Sequence, residues 1–273
     1  MSSSFIITTS EGISQGISTV LQSIWVSSVT PVHDLDANAI MLAAVLCLLL
    51  VAVRPVWRIA RNAITIAHEG GHAVAALLTG RKLSGIQLHS DTSGVTVSYG
   101  KTQGFGYWLT CLAGYLAPAL WGLGCAALVA AGYATGALWL LVILLALMLT
   151  RIRNGYGAAS VIICLIAVVA LSWWGSPDMR LLAATVLAGF LLLGSIRPLV
   201  ELQIQRTQGR AGQSDADQLA RLTHISALLW ILLWLLIALI ALWYSLQWIT
   251  AQAGGMSAVF SLQTLQSLLL SWR

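Results

Sequence analysis

The sequence has few charged residues. Asp, Glu, Lys and Arg make up only 8% of its 273 residues and hydrophobic residues make up 58%, whereas roughly 25% of residues are charged in ordinary soluble domains. This composition excludes a water-soluble globular protein, because the chain has too few polar side chains to cover its surface. The net charge of +5 comes mostly from arginines between apolar runs and forms no basic stripe with interleaved aromatic residues. We therefore expect contacts with lipid head groups and no nucleic-acid partner.

Long uncharged runs predict several membrane spans. No charged residue or histidine lies between Lys101 and Arg151, and since about 20 residues cross a bilayer core, this run is long enough for two spans. The turn between them is expected at Gly132 to Gly136. We predict an all-α polytopic membrane protein with about six to seven transmembrane helices. The candidate spans are residues 37–53, 58–80, 105–131, 136–150, 157–174, 180–196 and 226–249.

The two ends of the chain differ from this apolar core. Residues 13–25 place apolar side chains at helical spacing with polar residues between them, which is typical of a helix lying at a membrane interface. Residues 256–273 are similar. The predicted organisation is an N-terminal interfacial segment (1–36), a membrane-embedded core (37–250) and a C-terminal amphipathic segment (251–273). Residues 1–36 lack the basic start and continuous apolar run of a signal peptide.

The cysteines and basic residues carry little functional information. The cysteines lie in apolar runs without paired spacing, so we expect packing residues and no disulfides: Cys47, Cys111, Cys125 and Cys164. Basic residues cluster near 54–61, 81–101, 151–153 and 197–221. Whether these clusters share one side of the membrane depends on whether the helix after Pro55 crosses fully, and membrane orientation stays open.

One motif points to chemistry. His68-Glu69-Gly70-Gly71-His72 lies in an otherwise apolar, helix-compatible segment. Two imidazoles four residues apart lie on the same side of a helix and can bind zinc, and the adjacent carboxylate can act as a base for a metal-bound water. The two glycines indicate close packing, either against another helix or a substrate. The alternative is a buried hydrogen-bonded histidine pair with a structural carboxylate.

A catalytic zinc site normally has three protein ligands. From the residues alone, the candidates for the third ligand are Asp215, Asp217, His89 and His224. Either aspartate is also a good N-cap for the helix expected near Gln218. The two histidines also fit surface positions in a hairpin and at an interface.

Residues 86–99 predict a small β-hairpin directly after the metal-binding helix. Residues 86–89 and 95–99 alternate apolar with polar or small side chains, and the turn sequence Asp-Thr-Ser-Gly lies between them. Such a hairpin is either an edge for an extended peptide or a surface hairpin without a catalytic role.

Four motifs together give the chain a resemblance to a known family. They are residues 68–73 (HEGGHA), 113–118 (AGYLAP), 153–157 (RNGYG) and 214–216 (SDA). The chain resembles the site-two protease class of intramembrane zinc metalloproteases, particularly its compact bacterial branch without a PDZ domain. The resemblance extends from about residue 58 to 235, although the sequence lacks the family's better-known Asp-Gly form and the associated Asn-Pro pattern.

The resemblance implies a site and an activity. His68, His72 and Asp215 would bind Zn2+, with Asp217 in reserve, and Glu69 would activate water. Asn154 is a candidate for binding substrate, although an asparagine before glycine is also a common turn.

The predicted function is an intramembrane zinc metalloprotease that hydrolyses peptide bonds of membrane proteins within or near the bilayer. Its partners would be a transmembrane protein or peptide substrate and membrane lipid, in a bacterial plasma membrane. Two alternatives remain: a non-catalytic homologue that binds membrane proteins, and a proton or metal-ion transporter. The oligomeric state stays open.

Overall fold

The computed structural model describes residues 3–32, 35–210 and 213–270. Within these ranges the protein is mainly helical, with one two-stranded antiparallel sheet between α3 and α4. The strands are β1 (Lys82–Leu88) and β2 (Gly94–Tyr99). The helices are α1 (Ser3–Val29), α2 (Ala37–Ala52), α3 (Arg54–Leu78), α4 (Phe105–Ala130), α5 (Ala134–Leu149), α6 (Gly155–Trp174), α7 (Pro177–Thr207), α8 (Asp215–Thr223), α9 (Ala227–Ala251), α10 (Met256–Val259) and α11 (Leu262–Leu270). The helical class and the hairpin after the histidine-bearing helix are confirmed.

Helices cover all seven predicted apolar runs, but not every one qualifies as a membrane span. Among the described residues, four helices are long and apolar enough to cross a membrane: α4, α6, α7 and α9. Helices α2 and α3 together make a fifth if they are counted as one bent span, and α5 has only 16 residues. The chain is therefore a multi-pass membrane protein, while the count of six to seven spans and the three-part domain division stay predictions.

A sharp corner separates α2 from α3. The two helices meet at 97°, and Val53 between them is extended because Pro55, in the first turn of α3, cannot continue the backbone hydrogen bonds of α2. Arg197 of α7 donates to the carbonyl of Val51 and lies 4.7 Å over the ring of Trp57. This arginine thereby holds both arms of the corner.

Helix α3 packs closely on α4 at one of its two central glycines. A Cβ added at Gly71 would lie 2.3 Å from the Cβ of Ala117 and 2.7 Å from the carbonyl oxygen of Ala113, both on α4. At Gly70 nothing lies within 4 Å of an added Cβ. Close packing against another helix is thus confirmed at Gly71, which faces α4, and is not seen at Gly70, where packing against a substrate stays a prediction.

The core lies where α4 meets α7 and α9. Ala126 and Val129 of α4 are fully buried against Ala184 and Ala188 of α7. The thiol of Cys125 donates to the carbonyl of Ala184 at 3.4 Å. All four cysteines are free thiols, in agreement with the prediction. This packing holds α4 in place, and α3 and α8 pack against α4.

Candidate metal centre

The two histidines of α3 lie one helical turn apart and face each other. Their ring centroids are 4.7 Å apart, and the Nε2 atoms of His68 and His72 are separated by 3.1 Å. Nδ1 of His72 lies 2.7 Å from the carbonyl oxygen of Thr110. Because that carbonyl can only accept, Nδ1 carries a proton, which leaves Nε2 as the nitrogen available to a metal.

Asp215 of α8 joins this pair. Its Oδ2 atom lies 3.3 Å from Nε2 of His68 and 3.2 Å from Nε2 of His72. Burial by itself raises the pKa of Asp215, but the charges and hydrogen bonds of the two imidazoles outweigh it and lower the pKa below its ordinary value. The carboxylate is therefore ionised, as a cation ligand must be.

The three ligand atoms form a nearly equilateral triangle with edges of 3.1, 3.2 and 3.3 Å. In a tetrahedral site with metal–ligand distances of about 2.0–2.1 Å, neighbouring ligand atoms lie about 3.3–3.4 Å apart. The triangle thus has the size of one face of such a tetrahedron. Two imidazole nitrogens and one carboxylate oxygen are also a donor set that zinc accepts, so these residues fit the metal.

The other candidates for the third ligand lie outside this triangle. Asp217 forms the capping box of α8 with Ser214 and an ion pair with Arg206 of α7. His224 ends α8 in a left-handed conformation, with φ of 59°. His89 contacts Ser93 in the hairpin turn, with Nδ1 3.3 Å from Oγ. Within the described residues, Asp215 is the only one of these four candidates whose ligand atom lies with those of His68 and His72, and we call these three residues the cluster.

Glu69 lies under the hairpin. Its side chain is 3% exposed, and its Oε2 atom accepts a 2.6 Å hydrogen bond from the hydroxyl of Thr96 in β2. A Cβ at Gly94, two residues earlier on the same face of β2, would lie 2.6 Å from Oε1. Thr96 thus holds the carboxylate of Glu69 with a hydrogen bond, and Gly94 leaves space for it because it has no side chain. Sequence reasoning missed both residues, although the alternation of β2 places them on one face.

A glycine of α4 closes the other side of the cluster. A Cβ at Gly114 would lie 2.4 Å from Nε2 of His72 and 2.7 Å from Cε1 of His68. The next residue, Tyr115, packs edge-on against the ring of His68, with centroids 4.6 Å apart. The AGYLAP motif therefore shapes the histidine positions, a role that its sequence does not reveal.

These residues share one cavity of about 500 Å³. Its walls include the cluster, Glu69, the length of β2 from Gly94 to Ser98, and Arg81. Tyr107 of α4 also lines it and donates a hydrogen bond to Gln218 of α8, which ties α8 to α4 beside Asp215. The cavity is thus large enough for part of a peptide next to the candidate base.

Asn154 lies on the far side of the hairpin. Its amide accepts from the backbone N–H of Leu88 at 3.2 Å and donates to the carbonyl of Leu88 at 2.6 Å. The backbone of Ile86 is bonded on the same edge: its N–H donates to the carbonyl of Arg151 at 2.8 Å, and its carbonyl accepts from the N–H of Arg153 at 2.9 Å. Residues 151–154 thus cover the outer edge of β1, and Asn154 is not part of the cavity wall described above. Both polar ends of the amide are already bonded to β1. The role of Asn154 in binding substrate stays a prediction.

Comparison with protein-family models matches residues 41–245 to the Peptidase M50B-like family. This range includes the hairpin, Glu69 and all three residues of the cluster. Curated proteins and solved structures gave no significant match. M50 peptidases are metalloproteases, typically with zinc, which agrees with the donor set and spacing of the cluster. With more than half of its length matched, the chain belongs to the Peptidase M50B-like family of membrane metallopeptidases.

Proposed function

We propose that the protein is an intramembrane zinc metalloprotease that cleaves membrane proteins within or beside the bilayer. The observation that carries this proposal is the triangle of His68, His72 and Asp215 on the same cavity wall as the buried carboxylate of Glu69. Helix α4, which is long and apolar enough to span a membrane, forms part of the cavity wall. Ionisable groups at membrane depth are costly, so their concentration here favours a catalytic role.

Each residue has a role in hydrolysis. His68, His72 and Asp215 would hold the metal through two nitrogens and one oxygen and leave one position open. When bound, zinc would act as a Lewis acid and make water acidic near neutral pH. Glu69 takes a proton from the attacking water and delivers it to the leaving amine. Thr96 keeps Glu69 in one orientation through its 2.6 Å hydrogen bond.

The free edge of the hairpin is suited to an extended substrate. Residues 151–154 occupy the outer edge of β1, whereas β2 lines the cavity from Gly94 to Ser98. Within the described residues, β2 pairs only with β1. A transmembrane substrate that unwinds locally can therefore add to β2 through main-chain hydrogen bonds, and its scissile bond would then lie beside Glu69.

The outer surface of the protein favours contact with lipid, in what we propose is a bacterial plasma membrane. Exposed apolar side chains cover α6 and α9, including Ile163, Ile166 and Leu236. Such surfaces are stable against acyl chains and unfavourable in water. We propose transmembrane proteins or peptides as substrates and membrane lipid as the surrounding partner.

Zinc analysis of the purified protein tests the ligand set. We expect about one zinc ion per chain in the wild type and at least a tenfold loss of affinity in His68→Ala, His72→Ala and Asp215→Asn. Asp217→Asn is the matched control, because Ser214 remains the N-cap of α8 and the asparagine oxygen can still accept from its backbone N–H, and it is expected to retain zinc. Retention in Asp215→Asn together with loss in Asp217→Asn would refute the assignment of the third ligand.

Proteolysis by Glu69→Gln tests the activity. The substitution preserves shape, so zinc should remain bound while cleavage of a single-span model substrate in detergent falls by about 100-fold or more. Equal, near-zero cleavage by zinc-loaded wild type and variant would favour a non-catalytic homologue. Metal or proton flux in liposomes without proteolysis would favour a transporter.

A further inference from the structure

Arg81 is a buried charge in the cavity wall. It lies three residues after the end of α3, and the residue is only 9% exposed. Its guanidinium donates to the hydroxyl of Ser98 at 3.1 Å, to the carbonyl of Ser98 at 3.4 Å and to the carbonyl of Lys101 at 2.5 Å. It also lies 5.3 Å over the ring of Tyr107. All of these partners are neutral.

Within the described part of the chain no carboxylate forms a direct ion pair with Arg81, and the ion pairs involve other residues. A buried charge without an opposite charge is unfavourable, and the ring of Tyr107 offsets only part of the cost. Of the five N–H groups of a guanidinium, three are used here, which leaves two for a ligand.

The position of Arg81 relative to Glu69 is set by β2. Alternate residues of a strand point to the same face. Thr96 meets Glu69 on this face, and Ser98, the next residue on it, meets Arg81. Two residues of extended strand span roughly 6.6–6.8 Å. A peptide paired along β2 therefore has one position beside Glu69 and another, two residues away, beside Arg81.

We propose that Arg81 is a specificity residue that binds a carboxylate of the substrate two residues from the scissile bond. The inference rests on the proposed proteolytic function. The carboxylate belongs either to an acidic side chain or to the free C-terminus of a substrate cut near its end. In both cases the guanidinium donates charge-assisted hydrogen bonds to it and gains the direct ion-pair partner that Arg81 otherwise lacks.

The test uses quenched fluorescent peptides of apolar residues that carry one Asp, Asn or Lys at successive positions. With the zinc-loaded full chain, we expect the Asp peptide to exceed its Asn partner about 10- to 100-fold in kcat/KM at one position, mainly through KM, and the Lys peptide to be poorest. Peptides with free and amidated C-termini separate the two sources of the carboxylate. A ratio near one at every position and at both termini would overturn the proposal.

Variants separate recognition from folding. In Arg81→Gln the ratio of Asp to Asn should fall to about one, and in Arg81→Lys part of the preference should remain. Lys101→Gln is the matched control, since it removes an exposed charge at the same end of the hairpin but keeps the carbonyl that Arg81 bonds. It should keep the preference. A ratio that persists in Arg81→Gln would refute the role of Arg81.

A binding measurement keeps this test independent of catalysis. The same peptides are titrated into zinc-loaded Glu69→Gln, where we expect the Asp peptide to bind about tenfold more tightly than the Asn peptide. Equal affinities would overturn the inference about Arg81. Absence of cleavage by the wild type, together with tighter binding of the Asp peptide, would instead refute the proteolytic function and leave the carboxylate site standing.

Discussion

Substitution of Gly114 by alanine should disrupt the metal centre from outside the ligand set. The new Cβ would lie 2.4 Å from Nε2 of His72, 2.5 Å from its Cε1 and 2.7 Å from Cε1 of His68. Non-bonded carbon atoms in ordinary contact are about 3.5 Å apart, so the rings of His68 and His72 must move away from α4 by roughly 1 Å. Metal–ligand distances tolerate only about 0.2 Å. We expect the affinity for zinc to fall by about 100-fold.

Helix propensity alone gives the opposite expectation. Alanine is favoured over glycine inside a helix by about 1 kcal/mol, so Gly114→Ala would stabilise α4 if the histidines were not in the way. Gly124→Ala on the same helix is the matched control, because nothing lies within 4 Å of its added Cβ. It should leave zinc content and proteolysis unchanged.

The assay is zinc stoichiometry and proteolytic rate for both variants, with circular dichroism to confirm that each remains folded. The expected result is loss of zinc and activity in Gly114→Ala and neither in Gly124→Ala. If folded Gly114→Ala binds zinc with wild-type affinity, the histidines are not where the geometry places them. The argument from ligand spacing would then fail.

Three further predictions concern the surroundings of the site. Thr96→Val should lower kcat by roughly tenfold without loss of zinc, because Glu69 loses the hydrogen bond that orients it; activity retained in Thr96→Val but lost in Thr96→Ser would contradict this. Gly71→Ala should lower the thermal midpoint by crowding α4, whereas Gly70→Ala should leave it unchanged or raise it, as measured by thermal unfolding in detergent. Asn154→Leu removes two hydrogen bonds to β1, worth about 1 kcal/mol each, so amides of β1 should exchange hydrogen roughly 30-fold faster; unchanged exchange would refute this anchoring role.

Much of the fold was predictable because the signals are local. Apolar runs predicted the seven helices α2 to α7 and α9, Pro55 predicted the corner before α3, and the alternation on both sides of residues 91–94 predicted the hairpin. The number of helices that cross the membrane was less predictable. A 97° corner between α2 and α3 and the short length of α5 depend on how helices pack, and hydropathy does not contain that information.

The sequence by itself determined the chemistry that α3 brings, because a spacing of four residues places two imidazoles on one side of any helix. Only the tertiary structure decided which distant carboxylate joins them. Asp215 and Asp217 are two residues apart, but the capping box and Arg206 engage Asp217, and α8 then presents Asp215 to α3.

The same division holds for the hairpin and α4. Alternation predicted two strands, but contacts with residues 151–154 decided that β2 keeps the free edge. The importance of Gly114 and Thr96 also became visible only in three dimensions, since each acts on a residue far away in the sequence. Local sequence patterns determine the secondary structure of a segment and the side chains on each of its faces. Packing between segments determines which of these side chains come into contact.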